Sequence, residues 1–146
     1  MADIEELISD FEFLDDWEDR YRYVIELGRD LEPLSDEEHS ASHKVQGCVS
    51  QVWLVSEPKV EEGTPHLYFR GDSDAHIVKG LIAVLLRLYN GKTPDDILAI
   101  DAKGVLGQLG LNEHLSPQRS NGLYSMVGRI RADAQSLAAQ PQAAGA

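Results

Sequence analysis

Cys48 is the only cysteine in the 146-residue chain. It lies in the run Lys44-Val45-Gln46-Gly47-Cys48-Val49-Ser50-Gln51-Val52-Trp53-Leu54. A thiolate is the reactive form of cysteine, and nearby positive charge favours it. Gly47 can adopt backbone angles closed to other residues and leaves room for another group to approach, so it is the natural hinge of a cysteine loop. The cations near it in sequence are Lys44 and, less directly, His39 and His43; Arg119 is distant. His39, His43 and His76 are the candidate bases if Cys48 is the nucleophile of a hydrolase, although no protease signature surrounds it. His39 and His43 have the i, i+4 spacing of two metal ligands on a helix, but the serines around them argue for a loop and the ligand set is incomplete. No metal site is therefore assigned. The remaining alternative is a binding module in which Cys48 is a small, inert core side chain.

The elements that must position these residues follow from periodicity. Val49 to Val55 alternates small or polar with apolar residues and predicts a strand with one buried face. His66 to Arg70 predicts its antiparallel partner, with turn chemistry at Glu57-Pro58 and at Glu62 to Pro65 implying a long connection. Lys44 to Gln46 adds a short third strand. A first helix is expected over Asp3 to Leu14. A second is capped at Asp15-Asp16, carries Trp17, Tyr21, Val24, Ile25 and Gly28 on one face, and ends at Pro33. A third, capped by Asp72, Ser73 or Asp74 and running to Tyr89, is apolar nearly all round and therefore central. Gly80 inside it costs about 1 kcal/mol relative to alanine, and close packing on the sheet would explain that cost. Thr93-Pro94 starts a short helix, and Gly104, Gly107 and Gly110 mark short helical pieces. The last helix is capped by Ser120 or Asn121 after Pro117. Its apolar stripe is Leu123, Met126, Val127, Ile130, Ala134 and Leu137, with Arg129 and Arg131 outward. The fold class is α+β: a small antiparallel sheet of about three strands packed against several helices. Residues 1–137 form one domain, and 138–146 are a disordered tail.

Charge narrows the partners. The net charge is −12, which argues against broad nucleic-acid binding. No stretch approaches the length of a membrane span. The N-terminus lacks the basic and apolar regions of a signal peptide. One cysteine cannot close an internal disulfide, and a reducing cytoplasm is the natural compartment.

Three blocks then carry a resemblance: Val45 to Trp53, Gly71-Asp72-Ser73-Asp74-Ala75-His76-Ile77-Val78-Lys79-Gly80-Leu81-Ile82-Ala83, and His114-Leu115-Ser116-Pro117-Gln118-Arg119-Ser120-Asn121-Gly122-Leu123. In order and spacing they resemble the SufE family, the sulfur acceptors of iron–sulfur cluster assembly, over about Leu7 to Leu137. The resemblance implies a fold like that of the U-type (IscU-like) scaffolds. It implies that Cys48 accepts persulfide sulfur from a SufS-like, pyridoxal-phosphate cysteine desulfurase, stimulates that enzyme and passes sulfur to a SufB-like scaffold. The pyridoxal phosphate belongs to the desulfurase, and no cofactor is expected on this chain. Arg119 is implied to support the thiolate or the docking, with Asp74 a candidate carboxylate partner; a structural salt bridge is the alternative. Gln51, Asp74 and His76 are the candidate partner-contact residues. Cys48 is expected to point partly inward until the desulfurase docks.

Overall fold

In the computed structural model the described residues are 4–47 and 50–139, apart from the side chain at 112. Among them the order is α1 (Ile4–Phe13), α2 (Trp17–Arg29), β1 (Val52–Glu61), β2 (Thr64–Ser73), α3 (His76–Tyr89), α4 (Pro94–Ala99), α5 (Ala102–Gln108), α6 (Leu111–His114) and α7 (Pro117–Ala139). This is the expected α+β arrangement of a small antiparallel sheet against several helices. Residues 138 and 139 of the anticipated tail belong to α7; residues 140–146 lie outside the described residues.

α3 is the central helix that its apolar circumference predicts. Val78, Leu81, Ile82, Val84, Leu85, Leu86, Leu88 and Tyr89 are all buried. Each large aliphatic side chain removed from water contributes about 2 kcal/mol before entropy is counted. The role of Gly80 differs from the expectation. A Cβ there would lie 2.1 Å from the Val24 carbonyl oxygen, and one on Gly28 would lie 2.6 Å from the Gly80 nitrogen. The two glycines let the α2 and α3 backbones touch, so Gly80 faces α2 and not the sheet. The sheet makes its own close approach to α3 at Gly71, where a Cβ would meet Ile82 at 2.7 Å.

β1 and β2 pair antiparallel from Val52↔Ser73 to Glu61↔Thr64. The long connection inferred from Glu57-Pro58 is absent. Pro58 lies within β1 opposite Leu67, and only Glu62 (φ 53°) and Gly63 (φ 81°) turn the chain. Two successive left-handed residues make the hairpin turn whose twist matches its strands. A two-stranded sheet leaves each strand a free edge, where a proline costs no ladder bond. The third strand anticipated at Lys44 to Gln46 is reduced to a bridge, Lys44↔Trp53. The strand expected from Val49 begins at Val52; Val49 itself lies outside the described residues.

Helix boundaries shift for local reasons. α2 is capped by the Asp16 carboxylate, which accepts from the Glu18 N–H at 3.0 Å, and it ends at Arg29, ahead of Pro33. α3 has Ala75 at its N-cap with no side-chain cap. The three polar residues expected to cap it shape the chain before it instead. Asp72 accepts from the Ser73 N–H, Ser73 Oγ from the Ala75 N–H, and Asp74 from the Gln51 N–H. α7 begins at Pro117, not after Ser120, because proline's fixed φ and missing N–H suit a first helical position. Ser116 Oγ accepts the Arg119 N–H at 3.3 Å. His114, just upstream, stacks on Trp17 at 3.8 Å, and its carbonyl accepts from the Tyr21 hydroxyl, fixing the start of α7 to α2.

Candidate functional site

The segment from Ser35 to Gly47 is a run of turns with no strand or helix of its own, so its shape depends on what it touches. Arg70 on β2 grips Glu38 through both guanidinium Nη atoms, one at 2.9 Å, and holds Glu57 at 2.6 Å. The Arg70 hydrogen bonds, then the Ser35 N–H, lower the Glu38 carboxyl to about 2. One residue on, His39 Nε2 meets Asp72 Oδ2 at 2.7 Å while its Nδ1 meets the Ser35 carbonyl at 2.8 Å. Its ring lies edge-on to Trp53, 4.7 Å between centroids. The hydrogen bond to Asp72 is the chief cause that raises His39 above 6.5. For Asp72, burial acts upward but is outweighed by the bonds from His39 and the Ser73 N–H and by Lys79, leaving the carboxyl below its usual range.

An oxygen acceptor at each ring nitrogen favours the imidazolium form of His39, which has no lone pair with which to deprotonate a thiol. His43 Nδ1 contacts Ser40 Oγ and the Glu38 carbonyl, both at 3.1 Å. Neither histidine lies on a helix, so the i, i+4 metal geometry does not arise. His76, the third candidate base, is the exposed first residue of α3.

Beyond His43 the chain runs alongside β1. The Val45 N–H donates to Val52 O at 2.8 Å, and the Leu54 N–H donates to His43 O at 2.9 Å. Gly47 has φ +91°, a left-handed angle that suits glycine. A Cβ there would lie 2.6 Å from Ser125 Oγ of α7. The conformational role assigned to Gly47 thus has a second cause, the close approach of α7. Cys48 and Val49 lie outside the described residues, and so does the expectation that the thiol points inward. The chain resumes at Ser50, which borders a cavity of about 270 Å³. Val52, Val78, Leu81 and Met126 give that cavity an apolar wall, and Arg119 lies on its edge.

Arg119, Gly47 and Ser50 are thus gathered along α7. Arg119 is exposed and, among the described residues, makes no ion pair with Asp74 or any other carboxylate. The Asp74 partnership does not form because its carboxylate is used locally. Asp74 Oδ1 accepts the Gln51 N–H at 3.1 Å and the Asp74 N–H reaches Gln51 O at 3.3 Å. Asp74 and Gln51 therefore tie the approach to β1 to the start of α3, with His76 two residues further on. A larger cavity of about 470 Å³ opens between the ends of α2 and α3 and the hairpin. It contains none of the predicted site residues, and its charged wall includes the Arg70–Glu57 pair.

Arg129 escaped the sequence reasoning. It was expected to face outward, but it donates to the carbonyls of Ser42 at 2.9 Å and Lys44 at 3.3 Å, and to Asp133 at 3.3 Å. The i, i+4 spacing of Arg129 and Asp133 was the available signal; it marks a shared helix face without saying what that face meets. Arg131 likewise turns inward, donating to the Leu98 carbonyl at 3.0 Å.

A family model described as "SufE: Fe-S metabolism associated domain" matches residues 5–134. An uncharacterized SufE-like protein of Rhizobium etli is 54% identical over 139 residues, covering 95% of this chain and 94% of its own. A second, from Rhizobium meliloti, is 50% identical over 135 residues, covering 92% and 96%. The solution structure of a hypothetical protein from Thermus thermophilus superposes with a TM-score of 0.70 at 22% identity, covering 94% of this chain and 96% of that one, and speaks for the fold alone. Two relatives at half identity over nearly the full chain, and a family match spanning all three sequence blocks, establish that this chain belongs to the SufE family.

Proposed function

We propose that this protein accepts persulfide sulfur on Cys48 from a SufS-like cysteine desulfurase, stimulates that enzyme and delivers the sulfur to a SufB-like scaffold for iron–sulfur cluster assembly. The observation that carries the reading is a coincidence in one stretch. The chain's only cysteine stands in the first family block, between a glycine seated on α7 and a serine on the rim of a half-apolar cavity edged by Arg119.

The chemistry is thiol–disulfide exchange. The Cys48 thiolate attacks the terminal sulfur of the desulfurase persulfide, a new S–S bond forms, the old one breaks, and the desulfurase cysteine leaves as a thiolate. No external oxidant or reductant is needed. A lone cysteine suits the role, since no second thiol can collapse the persulfide into an internal disulfide. The pyridoxal phosphate that generates the sulfur belongs to the desulfurase. Arg119, exposed and in no ion pair among the described residues, supports the anionic thiolate or the docked partner; Gln51, Asp74 and His76 form the neighbouring contact surface. The hydrolase alternative loses His39, whose two ring nitrogens are engaged. The relay requires a reducing compartment such as the cytoplasm, and among the described residues no helix is long and apolar enough to cross a membrane.

The test is mass spectrometry of the intact protein after incubation with a pyridoxal-phosphate cysteine desulfurase and cysteine. Wild type should gain the mass of one sulfur atom at Cys48, and Cys48→Ser should gain none. Full stimulation of desulfurase turnover by Cys48→Ser would sink the relay.

A further inference from the structure

We infer that Arg129, oriented by Asp133, is a positioning residue that fastens the segment entering Cys48 onto α7; the inference rests on the relay reading above. The segment behaves as a strand edge without a second strand. The polar groups of His43 and Val45 point at β1, through Leu54 N–H to His43 O and Val45 N–H to Val52 O. The carbonyls of Ser42 and Lys44 point the other way, toward α7, where no strand is available to pair with them. Arg129 satisfies both, Nη2 to Ser42 O and Nη1 to Lys44 O. Its planar fork matches two acceptors at a fixed separation, which a lysine ammonium on its flexible stem does not. The bonds carry a full charge and are correspondingly strong. Asp133 holds the remaining guanidinium edge, and the two side chains are only 27% and 22% exposed.

One helical turn toward the N-terminus of α7, Ser125 faces Gly47, and beyond it Gly122 and Arg119 border the cavity shared with Ser50. The incoming chain therefore lies antiparallel along a single face of α7, and Arg129 is its first fixed point on that helix. Released there, the segment would hang on its two bonds to β1 alone, which would open more often, and it would lose its bearing on α7, so the thiol would reach a docked desulfurase in many orientations instead of one.

The experiment uses the full chain as wild type, Arg129→Ala, Arg129→Lys and Asp133→Asn. Two quantities are read: amide hydrogen exchange at Val45 and Leu54, and single-turnover sulfur transfer from a persulfide-loaded desulfurase over a range of desulfurase concentrations. Arg129→Ala removes both carbonyl bonds and should lower the saturating transfer rate about 10-fold or more, since the loss of even one charge-assisted hydrogen bond corresponds to that factor, with the half-saturating concentration unchanged. Exchange at Val45 and Leu54 should accelerate while the α3 amides hold. Arg129→Lys should restore neither, and Asp133→Asn should shift both in the same direction by less. Unchanged exchange and transfer in Arg129→Ala, or full rescue by lysine, would overturn the inference. So would acceleration spread equally over α2 and α3, which would mean general loosening. If Arg129→Ala does not fold, Asp133→Asn decides: wild-type behaviour at both readouts overturns the inference. A wild-type protein that takes up no sulfur defeats the relay reading instead, and the exchange measurements still test the attachment.

Discussion

α2 meets α3 through two glycines and a layer of apolar side chains, whereas the segment from Ser35 to Gly47 is fastened by Arg70 to Glu38, Asp72 to His39 and Arg129 to two carbonyls. The first contact is made of shape. It rests on two backbones in contact, and neither glycine tolerates an added atom. The second is made of directional polar bonds, each of which can be removed singly or titrated away. A core joint of the first kind fixes where α3 stands. A surface attachment of the second kind holds the chain entering Cys48 in register through bonds that can each be released.

Breaking the shape-based joint should have the largest effect. Gly80→Ala forces a Cβ against the Val24 carbonyl with backbone on both sides, and should cost about 3 kcal/mol, lowering Tm by about 10 °C. A thermal melt within a degree of wild type would mean that α2 and α3 separate easily, and the contrast would fail. Next comes the acid-sensitive attachment. Glu38 is lowered from 4.5 to about 2, so its contribution is complete above pH 4.5 and is lost as pH falls through the folded value. Glu38→Gln should therefore melt a few degrees below wild type at neutral pH, with the gap closing toward pH 2. A gap independent of pH would show that Glu38 acts by packing alone.

The His39 attachment runs the opposite way. Its folded value is raised, so its contribution is complete below 6.5 and is lost as pH rises through that folded value. An NMR titration should give His39 a midpoint above 6.5 in wild type, moving back toward 6.5 in Asp72→Asn. An unmoved midpoint would detach His39 from Asp72. Together the two residues predict that the segment is held most firmly from about pH 4.5 to 6.5. The smallest effect belongs to neither region. Deleting residues 140–146, a Gln-, Ala- and Pro-containing stretch with no apolar period, should leave Tm unchanged; a fall of several degrees would show that those residues dock.

What could be read from the sequence depended on whether a pattern repeats along one element. α3, α7 and the caps at Asp16 and Thr93 were legible because burial and N–H satisfaction follow the helical period locally. Pro58 misled, since a proline signals a turn only where its N–H is needed, and an edge strand does not need it. Of the candidate site, the motif gave Cys48, Gly47 and Arg119. The supposed Arg119–Asp74 pair did not form, because Asp74 is three-dimensionally closer to Gln51 than any sequence pattern could reveal.

By itself, then, the sequence determined the α+β class, the centrality of α3, the single thiol and the family blocks around it, all of which are properties of residue type and short-range order. Only the tertiary structure decided that Gly80 answers Val24 and not the sheet, that His39 is engaged at both nitrogens, and that Arg129 turns inward to Ser42 and Lys44. The Gly80–Val24, His39–Asp72 and Arg129 contacts each join residues more than thirty positions apart. Such a contact is selected by how the packed helices bring backbone carbonyls and charged side chains together, and no local periodicity encodes which carbonyl a given arginine will reach.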